Sequence, residues 1–147
     1  MEILKVEDNK KKYISLLLLA DEQEDMIDRY INKGTMYILN DNGVKCECVV
    51  TDEGNGILEI KNIATDPNYH GMGYGKTLIE YIAEKYKEQY SVLQVGTGDS
   101  QLTVPFYEKC GFIRSHIIKN FFTNNYNHPI YECGIQLKDM VYLQRKL

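Results

Sequence analysis

The chain has 147 residues, of which 26% are charged and 44% are apolar, with a net charge of −4. These values predict one globular domain over residues 1–147. They also argue against nucleic acid as a partner, and no stretch approaches the ~18 apolar residues of a membrane span. The N-terminus lacks the layout of a signal peptide, and the four cysteines lack a zinc spacing, which together predict free thiols, no bound metal and a cytoplasmic location.

The predicted elements form a mixed α/β chain around one central sheet, in the order β-α-α-β-β-β-α-β-α-β-β. Apolar residues that alternate indicate strands, and apolar residues at helical spacing indicate helices. Asp41-Asn42-Gly43 predicts a β-hairpin. Asp21 is a candidate N-cap of the second helix, with Glu24 completing a capping box. In chain order the predicted elements are strand 2–6, helices 11–20 and 21–33, strands 36–39, 44–51 and 57–65, helix 73–89, strand 92–97, a short helix that stops at Gly111, strand 112–122, an irregular segment 123–138 and strand 140–144.

A glycine-rich segment joins the strand 57–65 to the central helix. Gly71, Gly73 and Gly75 occupy every second position directly before the helical pattern begins. The first N–H groups of a helix have no internal partner, and the helix dipole is positive at that end. Glycines also let those N–H groups approach an anion closely. The segment therefore predicts a phosphate-bearing ligand at residues 71–77, and a glycine-rich turn that binds nothing is the alternative.

Two familiar phosphate motifs nearly fit this segment. A P-loop ends in Gly-Lys-Thr, as here at residues 75–77, but its first glycine falls on His70, which does not readily take a positive φ. The Rossmann fingerprint would place its third glycine at Lys76 and expects an N-terminal βαβ unit, which this chain does not predict. A P-loop nucleotide hydrolase is therefore the weaker enzyme alternative.

A second signature lies downstream of the glycine loop. A helix ends with Tyr107-Glu108-Lys109-Cys110-Gly111-Phe112, 34 residues after Gly73 (73 to 107). With His70-Gly71-Met72-Gly73-Tyr74-Gly75, the chain resembles the GCN5-related N-acetyltransferase (GNAT) superfamily over nearly its whole length. The loop of that family reads Gln/Arg-x-x-Gly-x-Gly/Ala, and its later helix ends Tyr-x-x-x-Gly-Phe. His70 departs from the family pattern, and so does Asp99, where many relatives carry Asn.

The resemblance implies a cytoplasmic acetyltransferase that uses acetyl-CoA as its cosubstrate. The pyrophosphate would lie on the backbone at the mouth of the central helix. The pantetheine arm would pair with the strand edge at Ile63, Ala64 and Thr65, where the parallel strands 57–65 and 92–97 splay apart, and one N–H there would stabilise the oxyanion. The other implied cofactor contacts are His70, Gly71, Met72, Gly73, Tyr74, Gly75, Lys76, Thr77 and Ser100.

The resemblance also implies the chemical roles of two residues. Tyr107 matches the general acid that protonates the CoA thiolate. The alternative is that Tyr107 is a structural tyrosine packed on the sheet. Glu59 lies 14 residues before Gly73, the spacing of the base in the histone-acetylating branch. Glu59 would then help to deprotonate the amine, directly or through water, or is a polar residue of a half-exposed strand.

The acceptor is open: a small amine or a protein amino group fits equally. Acidic residues near 21–25 would favour a cationic acceptor, although such residues are common at helix starts. The segment 123–138 would line the acceptor pocket, form a surface loop or make the contact of a homodimer. A non-catalytic acyl-CoA-binding module is the alternative to an enzyme.

Overall fold

The computed structural model describes all 147 residues and places seven strands in one mixed sheet. The elements are β1 (Glu2–Val6), α1 (Ile14–Ala20), α2 (Glu24–Asp28), β2 (Thr35–Asn40), β3 (Val44–Asp52), β4 (Ile57–Thr65), α3 (Tyr74–Tyr86), β5 (Val92–Gly98), α4 (Val104–Lys109), β6 (Ile113–Ile118), α5 (Phe121–Asn125), β7 (Tyr131–Glu132), β8 (Ile135–Gln136) and β9 (Met140–Lys146). The order of strands in the sheet is β1-β2-β3-β4-β5-β9-β6, so the C-terminal strand β9 inserts between β5 and β6, and β7 and β8 form a separate hairpin.

The two faces of the sheet are covered by different helices. Leu78, Ile79 and Ile82 of α3 are fully buried and belong to a core cluster of 20 residues that also includes Leu58 and Ile60 of β4. Helices α1 and α2 cover the other face with a smaller cluster of seven residues. None of the helices is both long enough and apolar enough to cross a membrane.

A β-bulge at Lys61 changes the face of the sheet to which the following side chains of β4 point. Val50 pairs with Ile60, but its neighbour Val49 pairs with Asn62, so Lys61 is the extra residue. A bulge of this kind interrupts the alternation of side chains along a strand. Lys61 and Asn62 consequently both contribute to the cleft beside β4.

The parallel pairing predicted between β4 and β5 is present but short. Residues 57–60 pair with residues 92–95, and no pairing follows beyond Ile60 and Val95. On its other side β5 pairs with β9 along its whole length. Thus the C-terminal half of β4 has an open edge that faces the end of β5.

Several predicted features differ from the structure. The helix predicted for 21–33 is only α2 (Glu24–Asp28), and the segment 123–138, predicted as irregular, contains the end of α5 and the hairpin of β7 and β8. The strand predicted for 112–122 ends at Ile118, because Asn120 takes a left-handed conformation (φ 58°) that starts α5. The capping box at Asp21 and Glu24 is also wrong. Helix α2 begins at Glu24 without a side-chain cap, and the Asp21 carboxylate instead accepts hydrogen bonds from Tyr30 and Tyr126.

Candidate active site

A cleft of about 360 Å³ occupies the gap between the splayed strands β4 and β5. One end lies beside His70 and Thr103, near the start of α3, and the other lies beside the C-terminal end of α1. Half of its 24 lining residues are apolar. A cleft of this shape accommodates a long ligand that enters from the α3 side and meets a second ligand at the other end.

The glycine loop leaves the first N–H groups of α3 free. Gly71 (φ 80°) and Gly73 (φ 84°) have left-handed backbones, and nothing lies within 4 Å of where a Cβ would be on either residue. The first intrahelical bond runs from the Thr77 N–H to the Gly73 carbonyl, at 3.0 Å, and Gly73 supplies no side-chain cap. The free amides of residues 74–76 therefore lie where the sequence predicts an anion site, and the binding of an anion there stays a prediction. A Cβ on Gly75 would lie 3.1 Å from the Phe106 ring, so this glycine permits close helix packing instead.

Side chains of the same segment fix the position of the loop. The His70 Nε2 atom lies 3.0 Å from the Thr65 carbonyl oxygen, and because a carbonyl only accepts, Nε2 carries the proton. Tyr74 turns away from the cleft and donates a hydrogen bond to Asp41 at 2.7 Å. Met72 and Lys76 are exposed, and Thr77 is half-buried. His70 thus ties the glycine loop to the end of β4, and its predicted contact with a phosphate stays a prediction.

The open edge of β4 presents backbone groups to the cleft in alternation. The Asp66 N–H donates to the Lys45 carbonyl, so Asp66 and Lys45 form a hydrogen-bonded pair of the antiparallel ladder. Such pairs alternate along a ladder, so the backbone groups of Ala64 point to β3 and those of Ile63 and Thr65 point to the gap. Since His70 occupies the Thr65 carbonyl, the free groups at this edge come mainly from Ile63.

Tyr107 lies in the wall of the cleft with its ring buried. It belongs to α4, and it packs edge-on against Phe106 and Phe112. Gly111 allows this arrangement because its positive φ (91°) turns the chain back after α4, and the Phe112 N–H then bonds the Tyr107 carbonyl. Burial raises the pKa of the Tyr107 phenol, so the hydroxyl keeps its proton at neutral pH.

Glu59 is buried beside the cleft rather than in its wall. Its carboxylate accepts a hydrogen bond from Gln94 Nε2 at 2.6 Å and forms an ion pair with Lys61 at 2.7 Å. Gln144 in turn donates to Gln94 at 2.7 Å. Lys61 lines the cleft, so it lies between Glu59 and any ligand there.

The remaining predicted contact, Ser100, lies outside the cleft. Its hydroxyl is buried and accepts a hydrogen bond from the Leu102 N–H at 3.0 Å, which holds the turn before α4. The neighbouring Asp99 is exposed and pairs with Arg114 at 3.0 Å, which offsets its negative charge. Contact between Ser100 and a cofactor stays a prediction.

The far end of the cleft is lined in part by the segment 123–138, which is one of the roles that the sequence left open for this segment. Phe122, Ile130 and Leu137 form a small buried cluster there, and Leu19 and Tyr126 add to the wall. Asn62 donates hydrogen bonds to the Leu17 carbonyl and the Tyr30 hydroxyl, both at 3.0 Å. The apolar residues among 122–137 carry no regular spacing, so only the fold reveals that they converge.

Comparison with known proteins assigns this architecture to a family. The acetyltransferase (GNAT) domain matches residues 32–114, more than half of the chain. The N-acetyltransferase YvbK of Bacillus subtilis (strain 168) is 34% identical over 140 residues, which cover 93% of this chain and 90% of that protein. The chain belongs to the GNAT family of acetyltransferases.

Solved GNAT structures share the whole fold. A GNAT family acetyltransferase from Elizabethkingia anophelis, solved with acetyl-CoA bound, superposes with a TM-score of 0.93 at 34% identity, over 99% of this chain and 97% of that one. The IAA acetyltransferase of Bacillus cereus ATCC 14579 superposes with a TM-score of 0.90 at 34% identity, over 99% and 100%. The predicted GNAT membership and α/β fold are therefore confirmed.

Proposed function

We propose that this GNAT acetyltransferase transfers an acetyl group from acetyl-CoA directly to a primary amine in a ternary complex. The observation that carries the proposal is the cleft, which begins beside His70, the residue before the glycine loop, follows the open edge of β4 and reaches Tyr107. The Elizabethkingia anophelis relative, which has the same fold, was solved with acetyl-CoA bound. A two-substrate cleft favours direct transfer over a covalent intermediate on the protein.

In this proposal the backbone binds the donor and polarises it. The amides of residues 74–76 hold the pyrophosphate, and the groups of Ile63 that face the gap pair with pantetheine or with the thioester carbonyl. The neutral amine attacks the carbonyl carbon, and an N–H at the β4 edge stabilises the resulting oxyanion. The carbon–sulfur bond then breaks, the thiolate takes up a proton, and the new amide nitrogen releases one.

Tyr107 supplies the hydrogen bond to the departing sulfur. Because burial raises the pKa of its phenol above that of an ordinary thiol, full proton transfer to a free thiolate would be uphill. Tyr107 therefore transfers its proton to the sulfur only as the product nitrogen releases its own proton, so that no free thiolate and no charged nitrogen remain after this step. Glu59, acting through water, assists the loss of the first proton from the amine.

Binding of the donor is tested by thermal stabilisation with acetyl-CoA or CoA. At 100 times Kd a ligand stabilises the folded protein by about 2.7 kcal/mol, which shifts Tm by about 5 to 10 °C for a chain of this size. Gly73→Ala places a methyl group where the pyrophosphate would lie and should weaken CoA binding at least about tenfold.

Gly54→Ala is the matched control for this substitution. Gly54 has nearly the same backbone (φ 82°) and the same open surroundings, but it lies in the turn between β3 and β4. Both variants should lose similar stability from backbone strain, about 1 kcal/mol, and only Gly73→Ala should lose the response to CoA. Stabilisation by ATP with magnesium, and none by CoA, would favour the P-loop alternative instead.

The assisting role of Glu59 is tested together with its ion-pair partner. Glu59→Gln should slow turnover about 100-fold and should also lower Tm, because it removes the closer of the two carboxylates that pair with Lys61 and leaves only Glu53, at 3.9 Å. The double variant Glu59→Gln with Lys61→Met removes the weakly paired charge. We expect it to regain stability and to remain slow. Recovery of turnover together with stability would show that Glu59 is structural.

The acceptor itself is proposed only as a class, a small amine or a protein amino group. A panel of amines and lysine peptides, assayed for CoA release, tests the proposed function as a whole. No release with any member, despite stabilisation by acetyl-CoA, would favour a non-catalytic acyl-CoA-binding module. A homodimer and a cytoplasmic location remain predictions, which size-exclusion chromatography and cell fractionation would check.

A further inference from the structure

A short hairpin closes the cleft on the side opposite β4. Cys133 (φ 51°) and Gly134 (φ 74°) form its two-residue turn, and both residues have the positive φ of a type I′ turn. The Leu137 N–H bonds the Ile130 carbonyl at 2.8 Å and closes the base of the hairpin. The residues of β7 are thus held in a defined orientation rather than in an irregular loop.

The hairpin directs Glu132 inward. Side chains alternate along a strand, and here Ile130 is buried and Tyr131 is 58% exposed. Glu132 falls on the same side as Ile130 and lines the cleft. Its Oε2 atom is buried and accepts no hydrogen bond from the chain, whereas the residue as a whole is half-buried and also borders a second cavity that Arg114 lines. Arg114 forms its ion pair with Asp99. A carboxylate without a partner in the chain favours a positively charged ligand.

No cation of the chain meets this need. Lys61 lines the same cleft but forms its ion pair with Glu59, and the His70 Nε2–H is directed to Thr65. Asn62, another cleft residue, is 3% exposed and has a buried Oδ1 that likewise accepts no hydrogen bond. Glu132 is therefore a carboxylate of the cleft wall without an ion-pair partner in the chain, which matches a ligand that carries N–H donors and a positive charge.

From this arrangement we propose that Glu132 binds the ammonium form of the acceptor and selects amines that are protonated at neutral pH. The inference rests on the proposed function. Glu132 and Tyr107 line the same cleft, so an amine bound by Glu132 lies in the same cavity as the proposed acid. The acetylated product is a neutral amide that forms no ion pair, so Glu132 favours binding of the substrate over retention of the product.

The test uses benzylamine, tyramine and N-terminally blocked lysine as probe acceptors, with CoA release as the readout. For the best acceptor, Glu132→Gln should raise the KM of the amine about 10- to 100-fold, the effect of losing one charge-assisted hydrogen bond. The KM of acetyl-CoA should change less than twofold. Glu132→Asp, which keeps the carboxylate, should recover part of the affinity for the amine.

Glu108→Gln is the control, because Glu108 is an exposed carboxylate of α4 that does not line the cleft. It should leave both KM values unchanged. An unchanged KM for the amine in Glu132→Gln would overturn the inference. An equal rise in both KM values would overturn it too, because Glu132 would then support the cleft or contact pantetheine. Failure of the wild-type protein to release CoA with any amine would instead refute the proposed function.

Discussion

Replacing Tyr107 with phenylalanine should lower kcat about 100- to 10,000-fold, the usual range for a positioned proton donor, and should leave the affinity for acetyl-CoA unchanged. The ring would still pack against Phe106 and Phe112. The hydroxyl has no hydrogen-bond partner within the chain, and its removal leaves no buried group unpaired. Tm should therefore stay the same or rise slightly, which separates a chemical role from a structural one.

The measurement is steady-state turnover with the best acceptor between pH 6 and 9, with acetyl-CoA binding followed by calorimetry. Because the raised pKa keeps Tyr107 protonated throughout this range, its ionisation should not limit the wild-type rate. Tyr81→Phe, a tyrosine of α3 outside the cleft, serves as the matched control and should be fully active. A Tyr107→Phe enzyme with wild-type turnover would refute the role of Tyr107 as acid.

The sequence predicted the backbone of the glycine loop and of the turn after Tyr107 because both depend on local geometry. A helix start and positive φ at Gly71, Gly73 and Gly111 leave recognisable patterns within a few residues. The parallel pairing of β4 with β5 also followed from the order of elements, whereas the place of β9 between β5 and β6 did not.

The acceptor end was poorly predicted because it depends on contacts between residues far apart in the chain. Asp21 has the spacing of a helix cap, but the fold brings Tyr126 to within 2.6 Å of it, across 105 positions. Two tyrosine hydroxyls then bind the carboxylate, and the local capping preference is overridden. Glu59 and Lys61 are two positions apart on β4 and form an ion pair, a contact that an extended strand allows but does not require.

Glu47 is another residue whose environment only the fold reveals. It lies in the middle of β3 and is fully buried, and no side chain donates a hydrogen bond to its carboxylate. The effect of burial on the pKa of Glu47 outweighs that of the nearby Ala64 backbone N–H, which lowers it. The groups whose pKa values respond to its charge are Tyr30, Cys46, Cys48 and Tyr107, and none of them is a cation. Burial therefore raises the pKa of Glu47 well above its ordinary value, and the folded protein holds it as a neutral acid.

This assignment makes stability depend on pH in a definite direction. Below a pH of about 4.5, the ordinary pKa of a glutamate, Glu47 is protonated in both the folded and the unfolded state and does not lower the free energy of unfolding. As the pH rises, Glu47 ionises in the unfolded chain but not in the folded protein. The free energy of unfolding therefore falls by about 1.4 kcal/mol per pH unit until the pKa of Glu47 in the folded state is reached. Glu47→Gln cannot ionise in either state and should escape this loss.

We therefore expect Glu47→Gln to match the wild-type Tm near pH 4.5 and to exceed it increasingly above that pH, by about 3 to 6 °C for each unit. Scanning calorimetry from pH 4.5 to 8 measures the difference, in which the titration of all other groups cancels. Glu108→Gln, which removes an exposed carboxylate, should follow the wild type throughout. A difference that does not vary with pH, or one that favours the wild type as pH rises, would show that Glu47 is ionised in the folded protein. It would then need a cation or a water network that the described contacts do not include, because an unpaired charge at a site with no exposed surface cannot otherwise persist.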